Sequence, residues 1–380
     1  MTNPYKISPL FKQDVYATTQ WTLPTANNST LGTSTWAGIA MLLNESTTAG
    51  RVFSTDVIST YSLIYTTSSA YQGGILSQNG DIHFGIRSAI VGQKISSSGV
   101  VSTYSLIYTT SFAYSGGVLA SNGDIHMNPL SALVGQKISA YDVVSTYSLV
   151  YSTSSVYKYA GGVLSPNGDI HFIPFDAPVG QKISASGVVS TYSLVYTNTV
   201  SGAYQGGVLS PNGDIHFIPN YAPVGQKISS SGVVSTYSLI HTNSAGAYSG
   251  GVIASNGDIH MIPSNASVGQ KISIAGVVST YSLIYTTSAA YIGGGLAPNG
   301  DIHMIPYAAS VGQKISSSGV VSTYSLTYTT SSGSYAGGIL TPNGDIHMIP
   351  ISATVGQKIN RNSGMNFPLS VCAHSYFNKF

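Results

Sequence analysis

Gly73-Gly74-Ile75-Leu76-Ser77-Gln78-Asn79-Gly80-Asp81-Ile82-His83-Phe84 decides how the rest of the chain is read. Two short apolar runs flank Asn79-Gly80. Asn-Gly in that setting is a strong hairpin signal, because a type I′ turn needs positive φ at both central residues. The pentapeptide Asn-Gly-Asp-Ile-His returns at Asn122, Asn167, Asn212, Asn256, Asn299 and Asn343, a period of 43 to 45 residues. A period of that length with strand-like content marks a repeat architecture. A histidine that recurs once per repeat is read first as part of the unit, and only second as a member of an active site.

Working outward, Gly73 to Leu76 is strand A of the unit and Asp81 to Phe84 is strand B. Val91-Gly92-Gln93-Lys94-Ile95-Ser96 is strand C, and a Ser/Gly turn leads into strand D, Val100 to Thr109, rich in β-branched and aromatic residues. Nothing in the unit has helical periodicity. Four antiparallel strands in one repeat match a β-propeller blade, for which spacings run at roughly 40 to 50 residues. The Gly-Gly pair suits strand A as the innermost strand, where blades converge and side chains are crowded out. A parallel β-helix is the structural rival, but it needs no tight hairpin in every unit.

The chain is therefore expected to be all-β, a β-propeller of four-stranded antiparallel blades. Seven regular units are joined by a degenerate one. In it Gln20 to Pro24 stand near strand A, Gly38-Ile39-Ala40-Met41 for B, Arg51-Val52-Phe53 for C and residues 57–67 for D. Gly364 to Val371 can supply the last strand D. This favours eight blades, with seven the alternative if the terminal pieces share a blade. A single domain over residues 1–380 follows, with 1–57 a degenerate first blade, 58–360 the regular repeats and 361–380 a closing strand and tail.

Composition narrows the function classes. Only 7% of residues are charged, against a usual quarter, while 43% are hydrophobic, ample for a core. A net charge of +2 creates no field that would attract nucleic acid, so no nucleic-acid partner is expected. The lone Cys372 excludes an intramolecular disulfide and a cysteine zinc site. No signal-peptide core opens the sequence, and no apolar run reaches the length of a membrane span. Localisation stays open between cytoplasmic and virion-associated, and no cofactor is expected.

Three polar residues recur in every regular unit: Asp81, Asp124, Asp169, Asp214, Asp258, Asp301 and Asp345; His83, His126, His171, His216, His260, His303 and His347; Lys94, Lys137, Lys182, Lys227, Lys271, Lys314 and Lys358. Asp81 and His83 share one strand face, and Lys94 lies across the hairpin opposite one of them, depending on register. Asp and His ligate metals, but a buried network tying strands together is the favoured reading, because buried polar groups must be paired. No metal site is assigned, and HExxH, Gly-rich phosphate-loop and GxSxG motifs are absent from the sequence.

Units differ from one another in two places, the D–A connector and the B–C loop, which in a propeller emerge on the same face. That face is the candidate binding surface, since binding residues collect on loops of a rigid scaffold, with unconstrained drift of the loops the alternative. Its candidate residues are Arg87, Phe175, Asp176, Asn220, Tyr221, Asn265 and Tyr307. Tyr71, Tyr114, Tyr159, Tyr204, Tyr248, Tyr291 and Tyr335 each precede the Gly-Gly pair by two residues. They could form an aromatic ring at the channel mouth and are ligand-binding candidates on that ground, though core packing is the favoured reading.

The unit GGVLSPNGDIHFIP (Gly161 to Pro174), followed by VGQKIS (Val179 to Ser184), resembles the blades of uncharacterised propeller-repeat proteins, among them repeat proteins of large DNA viruses of algae and protists. The ending HSYFNKF is similar to theirs as well. The resemblance implies a virion or host-contact role and carries no site residues across. Taken together, a non-enzymatic propeller is expected, one that presents its varied face to a glycan or protein partner. The alternatives are a structural component of a particle and an enzyme centred on the channel mouth.

Overall fold

The computed structural model describes residues 56–360, apart from 155–156, 199–201, 243–244 and 331–332. Within them the chain forms seven four-stranded antiparallel sheets. Strand β1 (Val57–Ser62) comes first among the described residues. Blade 1 follows with β2 (Tyr71–Leu76), β3 (Ile82–Ile86), β4 (Val91–Ile95) and β5 (Val101–Ser105), paired in that order. Blades 2 to 6 repeat it, and blade 7 contains β26 (Tyr335–Leu340), β27 (Ile346–Pro350) and β28 (Val355–Asn360).

The blade number corrects the expectation: there are seven, not eight. β1 does not belong to a separate N-terminal blade. It pairs antiparallel with β28, from Val57 opposite Asn360 to Ser62 opposite Val355, and so supplies strand D of blade 7. The place expected for Gly364 to Val371 is thus filled by the other end of the sequence. Those residues, and the pieces assigned to strands A, B and C of an eighth unit, lie outside the described residues. Closure is visible where blade 1 meets blade 7. A Cβ on Gly74 would stand 2.7 Å from Ile349 and 2.9 Å from Ile339, so only glycine lets β2 lie this close to β26 and β27.

The hairpin turn is also of a different kind from the one expected. Gly80 has φ +86° while Asn79 does not enter the left-handed region. Gly80 N–H bonds Ser77 O at 3.0 Å and Ser77 N–H bonds Asp81 O at 2.9 Å. That is a three-residue loop closed by a left-handed glycine, not a two-residue type I′ turn. The asparagine earns its constancy through its side chain, whose Oδ1 accepts the Asp81 N–H at 3.0 Å. Strand A carries a β-bulge: Tyr71 pairs with Ile86 and Gly74 with Phe84, which leaves one extra residue on strand A between the two pairs.

Candidate functional site

On the face formed by the A–B and C–D turns, every blade carries the same ion pair. Lys Nζ lies 2.7 to 3.1 Å from Asp Oδ2 in all seven blades. His83 and Lys94 are Cα partners across β3 and β4, yet the long lysine side chain reaches back to Asp81. The other carboxylate oxygen of Asp81 accepts the Ser97 N–H at 3.1 Å, which ties the A–B turn to the C–D turn. Burial alone would raise the Asp81 carboxyl; the bonds from Lys94 and Ser97 outweigh it and hold the group below the usual carboxylate range.

The histidines bond tyrosines of strand D rather than the aspartates. His83 Nδ1 is 3.3 Å from Tyr104 Oη, and the six equivalents lie at 3.3 to 3.5 Å. Burial drives His83, His126, His171, His260 and His347 down to about 4, so they are neutral at pH 7. Among the described residues, no group of three or more His, Cys, Asp or Glu is arranged to hold a metal ion.

Strand C explains the constancy of Val-Gly-Gln-Lys-Ile. Val91 O accepts the Tyr71 hydroxyl at 2.9 Å. Gly92 leaves room for the Tyr104 ring, which a Cβ there would meet at 2.1 Å. Gln93 is fully buried and its Oε1 accepts the N–H groups of Ile64 and Tyr65 at 3.0 and 2.8 Å. Those two residues follow strand D of the preceding blade. The same grip is repeated by Gln136, Gln181, Gln226, Gln270, Gln313 and Gln357, and so it links each blade to its neighbour around the ring. Sequence reasoning missed this glutamine, although its recurrence in every unit was the signal.

The seven tyrosines before the Gly-Gly pairs do not ring an opening. Tyr71 and its equivalents are 0 to 1% exposed, and each hydroxyl donates to a strand C carbonyl. The bulge turns them into the blade, so they have no ring face to offer a ligand. What lines the axis is the residue after each: Gln72, Ser115, Ala160, Gln205, Ile292 and Ala336, with the first glycines, around a cavity of about 10 Å³. That is room for about one water, far below the roughly 300 to 1,000 Å³ of ordinary ligand pockets.

The varied face is built from compensating pairs. Each B–C loop bonds the D–A connector of the next blade, as Ala113 N–H to Arg87 O at 2.8 Å and Ala203 N–H to Phe175 O at 2.6 Å. Where that connector carries a left-handed glycine, the loop before it carries an aromatic ring. A Cβ would meet Phe175 at 2.3 Å from Gly202, Tyr307 at 2.6 Å from Gly333, and Tyr221 at 3.3 Å from Gly246. Much of the variation is therefore packing. Three candidate residues serve it with their polar atoms. Asp176 is buried and accepts the Gly202 N–H at 2.6 Å. Asn220 is buried and donates to Tyr248 O at 2.9 Å. Asn265 donates to Ala245 O at 2.6 Å and Gly246 O at 2.9 Å, and accepts the Ala289 N–H at 2.8 Å. These three are inter-blade ties, not free contacts.

Arg87, Phe175, Tyr221 and Tyr307 keep part of their surface. Arg87 breaks the pattern of glycine and aromatic. Its neighbour in the next connector is Phe112, left-handed at φ +54°, and the guanidinium carbon lies 4.8 Å from the Phe112 ring centroid. Phe112 in turn packs 5.8 Å from Tyr157, which is 42% exposed. Sequence reading missed Phe112 and Tyr157. The signal was their large side chains at a connector position where three other units carry glycine.

No family model matches this chain, and no curated protein does. The resemblance to viral repeat proteins gains no support from either. Solved structures do match. A streptogramin B lyase is 19% identical with a TM-score of 0.67, covering 80% of this chain and 98% of its own. A catalytically inactive virginiamycin B lyase from Staphylococcus aureus with quinupristin is 17% identical with a TM-score of 0.70, covering 81% and 100%. The WD40 β-propeller domain of Doa1 is 12% identical with a TM-score of 0.62, covering 81% and 98%. At such identities the likeness shows the fold, which is a β-propeller. It also corrects the expectation of a non-enzymatic chain: lyases are built on this same scaffold, so the scaffold is no ground for excluding catalysis.

Proposed function

We propose that this propeller is a binding scaffold whose B–C and D–A face engages a protein or glycan partner. The observation that carries the reading is the distribution of unrepeated side chains. The aromatic rings Phe112, Tyr157, Phe175, Tyr221 and Tyr307 all stand on one face, each partly exposed, at positions whose residue changes from unit to unit. Partly exposed aromatics on a rigid frame give contact area at low entropic cost. A pull-down and glycan-array screen with wild type and a Tyr157→Ser, Tyr221→Ser double variant tests it. Loss of the captured partner with an unchanged melting temperature supports the reading; retention of every signal sinks it.

A second reading, a component of a larger assembly, has its own observation. The outer strand D of each blade is an uncharged edge, and Val100, Val143, Val188, Val233, Val277 and Val320 at its start are 61 to 62% exposed. Such edges invite lateral pairing. Sedimentation over a hundredfold concentration range distinguishes a monomer from an associating rim.

A further inference from the structure

We propose that Arg87, with Phe112 and Tyr157, forms a site for a saccharide that carries a carboxylate. The inference rests on the binding-face reading and names its ligand class.

Charge accounting comes first. Among the described residues, nine cations are Lys or Arg, and seven of them are the strand C lysines, each paired with its aspartate. The other two are Arg87 and Lys158, and neither has a carboxylate within ion-pair distance among the described residues. Lys158 is fully buried and donates to Thr153 O at 2.6 Å. Arg87 is half-buried, and its Nε is buried with no acceptor. Burial holds the guanidinium below its ordinary value, with the Tyr307 and Tyr157 hydroxyls close enough to act on it. A guanidinium removed from water without an anion is costly, and a bound carboxylate would remove that cost.

Geometry comes second. The left-handed backbone at Phe112 is the connector's repeated geometry, shared by Ser69, Gly202, Gly246, Ala289 and Gly333, and here it carries a large ring. Phe112 is held there by two bonds from the Arg87 loop: its N–H donates to Ser88 Oγ at 3.0 Å, and Ala113 N–H donates to Arg87 O. The result is a planar cation stacked on one ring with a second ring beside it. Arg presents a fork that matches a carboxylate in bidentate fashion. Aromatic faces suit the C–H faces of a pyranose, and exposed Thr110 and Ser111 offer hydroxyls to a polyol.

Calorimetric titration of the full chain with trigalacturonate, its methyl ester and tetraglutamate tests this. The acid should bind, with the ester at least tenfold weaker. Arg87→Gln should cost at least tenfold and Arg87→Lys less. Tyr157→Ala, at a half-exposed ring, should cost severalfold with the melting temperature unchanged. Equal binding of acid and ester overturns the proposal, as does an affinity that both Arg87→Gln and Tyr157→Ala leave intact. Tetraglutamate bound in preference to trigalacturonate overturns the saccharide assignment. Failure of all three ligands also overturns it, whereas the face reading stands or falls separately on the pull-down.

Discussion

The two faces of the propeller solve the same problem, joining neighbouring strands and blades, by opposite means. On the A–B/C–D face one solution is copied seven times: a left-handed glycine turn, an aspartate and a lysine. On the B–C/D–A face each junction has its own pair, a glycine against an aromatic ring in three places, an asparagine at another and Arg87 against Phe112 at one. The copied face has stability as its constraint at every position. The other needs only that two partners fit each other, so their identities are free to drift together or to be selected for a ligand. That freedom is why diversity alone is weak support for binding, and why the one pair that leaves a cation unpaired is stronger support.

Acid should break the repeated polar set first, and this is the largest effect expected. His83, His126, His171, His260 and His347 have folded values of about 4, against an ordinary 6.5. A base depressed in the folded state leaves the unfolded chain binding more protons between those values. Stability is therefore fully present above pH 6.5 and lost as pH falls toward 4. Each proton taken up steepens the loss by about 1.4 kcal/mol per pH unit. Denaturant titrations from pH 7.5 to 4.5 should show an uptake approaching five protons. Asp176, on the varied face, runs the other way: burial raises its carboxyl, so its contribution grows as pH falls. An uptake below one proton would mean these histidines are not buried as neutral groups.

A comparison within blade 4 is sharper. Asp214 bonds Lys227 at 2.7 Å and the Ser230 N–H at 3.1 Å, whereas Tyr221 on the opposite face is 36% exposed. Asp214→Ala removes a charge-assisted bond and strands a partly buried lysine, for a loss of about 2 kcal/mol. Tyr221→Ala should change stability by roughly 0.5 kcal/mol. Equal losses would erase the distinction between the faces.

The compensating pairs can be tested by a double-mutant cycle. Gly333→Ala puts a Cβ 2.6 Å from the Tyr307 ring at a residue with φ +91°, and should cost about 2 kcal/mol. In a Tyr307→Ala background the clash is gone and only the backbone strain remains. A coupling of about 1 kcal/mol is expected, and additivity would show that the ring and the glycine do not constrain each other.

How much of this was legible in the sequence follows from the range of the interactions. Strand order, the A–B turn and the inner place of the Gly-Gly strand depend on residues within one unit, and period and turn chemistry showed them. The place of β1 depends on pairing with residues some 300 positions away, and VISTYS reads as a strand D wherever the ring closes. The tyrosines before Gly-Gly stayed open between core and channel mouth for a local reason: one bulge residue reverses the side on which a strand presents its side chains, and no alternation pattern announces it. The pairing of loop aromatics with glycines in the next unit was open to inspection, but only once blade adjacency was known.

The smallest effect expected concerns the copied face's own exception. Asp142 occupies the turn position held by Gly99 in blade 1 and Gly187 in blade 3, and keeps the left-handed backbone at φ +63°. Its carboxylate reaches across to blade 1, 2.6 Å from Lys94 Nζ and 3.6 Å from His83 Nε2. Asp56, just before β1, makes the corresponding bond to Lys314 at 2.6 Å. The Asp142 side chain is 48% exposed, so the bond is worth only a fraction of 1 kcal/mol. Left-handed strain on a non-glycine residue costs about as much in the opposite sense. Asp142→Gly should therefore be neutral within about 0.5 kcal/mol, while Asp142→Ala, which keeps the strain and loses the bond, should cost roughly 0.5 kcal/mol. The order of the two in thermal melts is what matters. If Asp142→Gly proved the more damaging, the ion pair rather than the turn would be holding blades 1 and 2 together, and the copied face would depend on its irregular residues as much as the varied one does.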